Sequence, residues 1–464
     1  MQINTNDEIK TLAEICSTLE NFVRFVLNAK PTNQQLKIIR AVDKGEKRIA
    51  VKSGHGTGKS TTLSWLAIWW GLFKVDAKIP VTAPSSPQLM ATLMPEMRKW
   101  IDKLPQIFKD EITIKSDEID FKNGNFIVLR TARKENPEAL QGFHATNLLF
   151  LIDEASGVAN EVFEVIHGAL TGAENCLVMV GNPTRTSGYF CEAFNKEKEI
   201  WDLYTLNAEK SENVSKEQIQ TARIKYGIDS DIYKVRVLGE FPSASSDALF
   251  GVELLDESVD RPDVTKNGSE IWGLDVAEFG DDSSVLCKRK GYCVRPFISF
   301  KNLDAEPLAN AIMAEYKNAH IKPVAIYIDI IGVGAGVWSI LLTKKLPVYR
   351  ADVRGKTYDE GLFNKRIEIY KRLKDLLPLI SLPNDDILLG DLGALRYEIN
   401  EKGLIKLESK KETKKRLGRS PDKADALAIT FFDELDFYDE AQSDYDNPRI
   451  RKTSKIEMTE LSWC

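Results

Sequence analysis

The chain has 464 residues, of which 43% are hydrophobic and 28% are charged, values typical of an ordinary soluble globular protein. Its length predicts about two to three domains with cores of their own, and its net charge of −6 excludes a chain that is basic throughout, although not a local basic groove. Six cysteines without a C-x-x-C pair and only four histidines argue against a zinc site and favour a reduced, cytosolic compartment.

The strongest motif is a glycine-rich loop between a predicted strand at 49–51 and a predicted helix. The glycines let backbone N–H groups approach phosphate oxygens, while Lys59 would reach the β- and γ-phosphates and Ser60 would bind Mg²⁺. In the usual G-x-x-x-x-G-K-[ST] spacing, Ser53 stands where the first glycine is expected. The apolar run at 63–73 is far shorter than the roughly 20 residues of a membrane span, and it predicts a buried helix under a nucleotide-binding sheet. The candidate ATP-binding residues of the loop are Ser53, Gly54, His55, Gly56, Thr57, Gly58, Lys59, Ser60 and Thr61.

Gln35 lies upstream of this loop, in the segment 31–39. A glutamine amide donates and accepts hydrogen bonds at once, so Gln35 could recognise an adenine edge. An ordinary surface glutamine is an equally good interpretation of this residue taken alone.

A second strong element is the apolar run at 147–152, which predicts a strand buried on both faces and ends in Asp153 and Glu154. In a P-loop ATPase, Asp153 would hold the Mg²⁺ hydration shell, and Glu154 would orient and deprotonate the attacking water. The alternative is a solvated turn.

The run at 176–180 repeats this pattern and is followed by Asn182 and Thr184, which could sense the γ-phosphate and couple it to motion. A plain Asn-Pro turn explains them equally well. Strands that alternate with helices and carry active residues at their carboxyl ends predict a parallel α/β sheet.

A Pro/Ser-rich segment at 242–246 and irregular sequence up to 268 mark a domain boundary. We therefore expect a first domain over 1–242, a linker over 243–268 and a second domain over 269–436. The tail over 437–464 alternates acidic and basic patches, and we expect it to be disordered and to dock on a partner.

The second domain carries carboxylates on separate predicted elements. Asp275 lies in one strand, Asp329 ends another, and Asp422 and Asp425 are three apart on one helix face near its N-terminus. Each alone would be an ordinary strand-end or N-cap residue. Together they would repel each other unless divalent cations neutralise them, as in two-metal phosphodiester hydrolysis with ions about 3.5–4 Å apart.

A basic segment lies between the last two carboxylate elements. It begins as an alternating strand at 404–407 and continues as a predicted basic loop. A solvated face is one interpretation, and a grip on the DNA backbone beside the acidic residues is the other. The candidate DNA-binding residues are Lys410, Lys411, Lys414, Lys415, Arg416 and Arg419.

Taken together, roughly residues 20–435 resemble the large terminase subunit of tailed double-stranded DNA phages. The segments 138–142 and 364–370 add to the resemblance. It implies an α/β fold with an N-terminal P-loop ATPase domain of the RecA-like (ASCE) type, followed by an RNase H-like nuclease domain. One departure is His55, where many relatives carry an arginine, so Arg130 and Arg133 become candidates for an arginine finger.

The resemblance implies ATP-driven translocation of double-stranded DNA into a procapsid and metal-dependent endonucleolytic cutting of concatemeric DNA. The implied cofactors are ATP with Mg²⁺ in the motor and two Mg²⁺ or Mn²⁺ in the nuclease. The implied partners are double-stranded DNA, a small terminase subunit and a portal protein, on which the chain would form a homo-oligomeric ring in the host bacterial cytoplasm, with no membrane involved. The resemblance assigns adenine contact to Gln35, hydrolysis to Asp153 and Glu154, coupling to 181–184, and nuclease metals to Asp275, Asp329 and Asp425, with Asp422 as a helper.

Two alternatives differ in function. One is an ATP-dependent DNA helicase or remodeller whose RNase H-like domain binds DNA without cutting it. The other is a non-catalytic DNA-binding scaffold with degenerate sites, which the presence of Lys59 and the Asp153–Glu154 pair disfavours.

Overall fold

The computed structural model describes residues 14–243, 247–262, 264, 268–277, 283–357, 359–400 and 403–433. Parts of the predicted linker and the whole predicted tail, 437–464, lie outside the described residues. Across the described ranges, no helix is both long and apolar enough to cross a bilayer.

The first half of the chain is built on one eight-stranded sheet. Its strands are β1 (Arg48–Ser53), β2 (Ala77–Thr82), β3 (Ile112–Ile114), β4 (Glu118–Phe121), β5 (Phe126–Leu129), β6 (Asn147–Ile152), β7 (Cys176–Gly181) and β8 (Asp202–Leu206).

The strand order is β3-β4-β5-β2-β6-β7-β1-β8. The strands from β5 to β8 in this order run parallel, and β3 and β4 add an antiparallel edge. This confirms the predicted parallel sheet. Because neighbouring parallel strands end at the same edge, the residues that follow β1, β6 and β7 are brought together.

Helices and hydrophobic clusters cover both faces of this sheet. Successive residues of β6 point to opposite faces, so Leu149 and Leu151 join one cluster and Phe150 joins the other. Among the described residues, the α-helices of this half include Leu19–Asn21, Asn33–Asp43, Lys59–Phe73, Met94–Ile101, Gln106–Lys109, Asn160–Ala169, Tyr189–Phe194, Lys216–Tyr226 and Asp231–Tyr233, and π-helical turns span Phe22–Val26, Gln88–Leu93 and Lys234–Leu238.

The second half contains a six-stranded sheet and a separate hairpin. The sheet is formed by β9 (Glu270–Asp275), β10 (Ser284–Lys290), β11 (Cys293–Val294), β12 (Ile298–Phe300), β13 (Ala325–Asp329) and β14 (Val348–Ala351), and the hairpin by β15 (Tyr397–Ile399) and β16 (Ile405–Leu407).

In the six-stranded sheet, the order is β11-β10-β9-β13-β14, and β12 also pairs with β10. The β10 strand is antiparallel to β9, whereas β9, β13 and β14 are parallel. This mixed arrangement confirms the expected RNase H-like fold. The helices of this half are Val252–Ser258, Ala305–Asn318, Gly334–Thr343, Lys365–Leu376, Asp386–Gly393, Lys410–Leu417 and Asp422–Ile429.

The hydrophobic cores divide the chain earlier than the predicted boundary at 242. Buried residues from Ala208 to Leu255, including Tyr226 and Tyr233, belong to the same cluster as the helices of the second half. The domain boundary thus stays a prediction, whereas the change of core lies near residue 207.

Candidate functional site

The P-loop connects β1 to the helix Lys59–Phe73. Gly56 and Gly58 have φ angles of 70° and 92°, a backbone conformation that few residues other than glycine adopt. Ser53 replaces the expected first glycine, and its hydroxyl lies 2.7 Å from the Thr57 hydroxyl and donates to the Gly54 carbonyl at the same distance. The Ser53 hydroxyl therefore joins the start of the loop to Thr57 through hydrogen bonds inside the loop.

Lys59 is held between the ends of two other strands. Its Nζ atom lies 2.6 Å from Oε1 of Glu154 and 2.5 Å from Oδ1 of Asn182. The Asn182 amide nitrogen donates to the Ser53 carbonyl at 2.6 Å. Four predicted site residues are thus linked by direct contacts, and a phosphate group placed at the loop would meet the Lys59 ammonium.

The carboxylates after β6 have different environments. Asp153 is buried, and burial together with the Glu154 charge raises its pKa to about 6, while the Lys59 charge and a hydrogen bond from Ser60 oppose the rise. Although burial acts the same way on Glu154, the Lys59 ammonium holds the pKa of this carboxyl below its usual value. Glu154 also has a φ angle of 48°, in the left-handed region that non-glycine residues rarely occupy. Such strain is concentrated at functional sites.

Gln35 is buried and already hydrogen-bonded within the protein. Its Oε1 accepts from the Thr32 N–H at 2.9 Å, which forms a capping box. Its Nε2 donates to the Gly58 carbonyl at 3.1 Å and to the Thr62 hydroxyl at 3.0 Å. Gln35 thus supports the P-loop, and its contact with adenine stays a prediction.

Three other predicted residues make contacts with residues other than Lys59. The Thr184 hydroxyl donates to the Ser156 hydroxyl at 3.1 Å, so it joins the loops after β7 and β6. The His55 side chain is exposed, and its backbone N–H donates to the Arg236 carbonyl at 2.7 Å. The Arg130 guanidinium lies 5.4 Å from the centre of the Phe143 ring. The roles of these residues in hydrolysis stay predictions.

A second polar centre lies at the ends of β9 and β13. These strands pair in parallel and end in Asp275 and Asp329, while Asp425 lies on the helix Asp422–Ile429 that packs against β9. All three carboxylates are buried. Asp422 accepts a hydrogen bond from the Ser283 N–H at 3.3 Å. The structure therefore brings the four predicted aspartates into one region.

The buried carboxylates influence each other. Burial, together with the charges of Asp425, Asp422 and Asp329, raises the pKa of Asp275 to about 8. Burial also raises the pKa of Asp329. Asp425 differs, because the cations Lys410 and Arg366 hold its pKa below the usual value in spite of burial.

Lys410 is the closest cation to this cluster. Its Nζ atom lies 2.8 Å from Oδ2 of Asp425, and its charge partly offsets the rise in the pKa of Asp275 and Asp329. Among the described residues, no three His, Cys, Asp or Glu side chains converge closely enough to hold a metal ion. The side chains that could bind a metal offer carboxylate oxygens, which suit Mg²⁺ and Mn²⁺. The Lys410 ammonium neutralises part of the negative charge of these carboxylates.

The predicted basic loop is in fact a helix, Lys410–Leu417, because the Ser409 hydroxyl caps its N-terminus and Gly418 adopts a left-handed conformation at its end. The side chains of Lys411, Lys414 and Lys415 are exposed. The two candidate DNA-binding arginines instead form internal ion pairs, Arg416 with Glu408 and Arg419 with the fully buried Asp391.

Two neighbours of Asp425 were not among the predicted site residues. The Tyr370 hydroxyl donates to Asp425 at 2.7 Å, and Arg366 lies 3.6 Å from the same carboxylate oxygen. Both belong to the segment 364–370, which the resemblance singled out without assigning a role. Their position on one helix face, four residues apart, was the available signal.

Comparisons with known proteins agree with the motifs. The "Probable terminase, large subunit" of Enterobacteria phage P7 is 29% identical over 455 residues, which cover 89% of this chain and 92% of that protein. No protein-family model matches the sequence. The large terminase from a thermophilic bacteriophage has a TM-score of 0.44 at 14% identity, with 86% of this chain and 98% of that chain covered. The nuclease domain of the large terminase subunit of bacterial virus Sf6 has a TM-score of 0.34 at 19% identity, covering 40% of this chain and 98% of that chain. The resemblance to phage large terminase subunits is confirmed by the match to the phage P7 protein, which covers 89% of this chain.

Proposed function

We propose that this chain, as a relative of the phage large terminase subunits, is an ATP-driven DNA-packaging motor and a metal-dependent endonuclease. The observation that carries the proposal is the presence of two separate polar centres in one chain. In one, Lys59 contacts Glu154 and Asn182. In the other, Asp275, Asp329 and Asp425 are buried, and the Lys410 ammonium contacts Asp425 and acts electrostatically on the other two.

In the motor centre, Lys59 would bind the β- and γ-phosphates of ATP, and Ser60 and Asp153 would hold Mg²⁺. Glu154 is the candidate base, since the adjacent Lys59 keeps it ionised. A phosphate that binds Lys59 would compete with Glu154 for the ammonium and release the carboxylate towards the attacking water. Asn182 would shift when Lys59 shifts, because its amide contacts both Lys59 and the Ser53 carbonyl.

In the nuclease centre, Asp275, Asp329 and Asp425 would hold two Mg²⁺ or Mn²⁺ ions, with Asp422 as a helper. Divalent ions in such a site activate a water and stabilise the charge of the cleaved phosphodiester. The raised pKa of Asp275 supports this assignment, because a cluster of buried carboxylates favours bound cations or protons. Tyr370 would orient Asp425 through its hydroxyl.

The proposed substrate of the nuclease centre, and the polymer that the motor centre moves by hydrolysing ATP, is double-stranded DNA. The exposed Lys411, Lys414 and Lys415 are the candidate contacts to its phosphate backbone. The proposed partners are a small terminase subunit and a portal protein, on which several copies would form a ring in the cytoplasm of the host bacterium.

The test is a pair of variants measured in two assays, ATP turnover and plasmid cleavage with Mn²⁺. Lys59→Ala should abolish ATP turnover and leave cleavage largely intact, whereas Asp275→Ala should do the opposite. A wild-type protein that fails to nick DNA, or an Asp275→Ala variant that cuts as well as wild type, would overturn the nuclease assignment. Loss of both activities in each variant would argue against independent centres.

A further inference from the structure

The first part of the P-loop is bound to a segment of the chain far downstream. The His55 N–H donates to the Arg236 carbonyl at 2.7 Å, and the Gly54 N–H donates to the Leu206 carbonyl at 2.8 Å. A Cβ atom on Gly54 would lie only 2.5 Å from the Val237 carbonyl oxygen. The segment Lys234–Leu238 is therefore in direct backbone contact with the loop.

This segment also belongs to the second hydrophobic core. Val235 and Val237 are buried there together with Leu388 and Leu389 of the helix Asp386–Gly393. The backbone of the segment thus touches the ATP-binding loop, while its side chains pack with the C-terminal half of the chain.

The Arg236 side chain strengthens this link. Its guanidinium pairs with Asp256 and lies 3.3 Å from Asp386 and 3.4 Å from the Tyr226 hydroxyl. Only 11% of the side chain is exposed. Asp386 also accepts from Lys225 at 2.9 Å. Because a buried charge is costly without its partners, Arg236 and Asp386 are expected to move together.

The Arg236–Asp256 ion pair is electrostatically coupled to the hydrolytic centre. Burial raises the pKa of Asp256, and the negative charge of Glu154 adds to the rise. The ion pair is therefore within electrostatic reach of the carboxylate that we assign to water activation, and a change of charge at the nucleotide would be felt by Arg236.

We propose that Arg236 is a positioning residue that couples the nucleotide state of the P-loop to the placement of the helix Asp386–Gly393 in the C-terminal half. Its carbonyl binds the loop, and its guanidinium binds the first residue of that helix. The inference rests on the proposed ATPase function and adds a route by which the motor centre acts on the nuclease half.

The experiment measures backbone hydrogen exchange in the full-length protein, with and without a non-hydrolysable ATP analogue and Mg²⁺. In wild type, we expect exchange to slow both at 54–60 and in 386–393, the latter by about fivefold or more, the lower end of typical coupling between sites. Asp386→Asn should keep the response of the loop and lose that of the helix. Asp386→Glu should restore the response of the helix.

Lys225→Gln is the matched control, because it removes a different partner of Asp386 and leaves the bond from Arg236. It should retain both responses. Thermal unfolding would show that each variant is folded, and Arg236→Lys, which keeps the charge and the carbonyl, replaces Asp386→Asn if that variant is unfolded.

An unchanged helix response in Asp386→Asn, or in Arg236→Lys where it replaces that variant, would overturn the inference. So would a wild-type protein in which the loop is protected and the helix is not. A loop without any protection would contradict nucleotide binding itself and would remove the proposed motor function along with the coupling.

Discussion

The Nζ atom of Lys410 lies 2.8 Å from Oδ2 of Asp425. The sequence predicts that this lysine grips DNA, yet its ammonium neutralises the acidic cluster. Although burial opposes it, the Asp425 and Asp275 carboxylates raise the pKa of Lys410. The lysine therefore remains charged and competes with any metal ion for the same oxygens.

Replacing Lys410 with alanine should strengthen the binding of Mn²⁺, because the metal no longer displaces an ammonium. We expect affinity to rise by about tenfold, equivalent to about 1.4 kcal/mol. Without metal, the free energy of unfolding should fall by about 1 kcal/mol, a modest value because Lys410 is half exposed. Calorimetric titration with Mn²⁺ and thermal unfolding in chelator measure the two effects.

Lys411→Ala, which changes an exposed neighbour, should alter neither the Mn²⁺ affinity nor the stability. Unchanged or weaker Mn²⁺ binding by Lys410→Ala would contradict the competition between the lysine and the metal.

Asp275 should make the metal-free protein less stable as the pH rises. Its pKa is raised from 3.8 to about 8, so its contribution to stability is fully present below about pH 4 and is lost as the pH rises through 8. Between pH 5 and pH 8, wild type should lose roughly 2–4 kcal/mol relative to Asp275→Asn, which cannot titrate at this position.

Urea unfolding of both proteins in chelator, at several pH values, measures this difference. Asp375→Asn, at a half-exposed carboxylate of the same half, should track wild type. If the difference between wild type and Asp275→Asn does not change with pH, Asp275 is ionised throughout and the assignment fails.

Asn182→Ala should slow ATP turnover more than it weakens ATP binding. The amide holds Lys59 through its oxygen and the Ser53 carbonyl through its nitrogen, and misplacing these groups should lower kcat roughly 10- to 100-fold. Steady-state kinetics and nucleotide titration separate the two effects. Asn123→Ala, which also removes an amide that donates to a backbone carbonyl, serves as the control. A variant with normal kcat would mean that Asn182 only forms a turn.

Arg419→Ala should destabilise the protein without a specific effect on DNA binding. It removes the partner of the fully buried Asp391, and burial already raises the pKa of that carboxyl to about 7. The expected loss is about 3 kcal/mol of unfolding free energy. By contrast, Lys415→Ala should keep stability and reduce the salt dependence of DNA binding by about one phosphate contact. The opposite pattern, with DNA binding lost only in Arg419→Ala, would restore the arginine to the DNA interface.

The contacts of Lys59 with Glu154 and Asn182 could be anticipated because the signals in the sequence are local. The P-loop spacing identifies Lys59, and the carboxylates after a buried strand identify Glu154. Because parallel strands end at the same edge of the sheet, these residues and Asn182 are brought together. Gln35 shows a limit of the same reasoning. The Thr32-x-x-Gln35 pattern of a capping box was visible, but the second contact of the amide, with the Gly58 carbonyl, depends on tertiary structure.

The basic segment could not be resolved from the sequence for a different reason. Whether a cation faces DNA or a carboxylate depends on residues that are distant in the chain, such as Asp391 for Arg419. The segment shows only an excess of positive charge. The link from Arg236 to Asp386, 150 residues apart, leaves no periodicity or spacing in the sequence.

The position at which the hydrophobic cores divide determines which fragments of the protein can fold on their own. A fragment of residues 247–433 would leave behind Tyr233, Val235 and Val237, which are buried in its core. We expect such a fragment to aggregate or to be degraded, whereas one that begins near residue 208 should survive limited proteolysis as a compact unit. A C-terminal fragment that folds would therefore include the segment Lys234–Leu238, which is hydrogen-bonded to the P-loop in the intact chain.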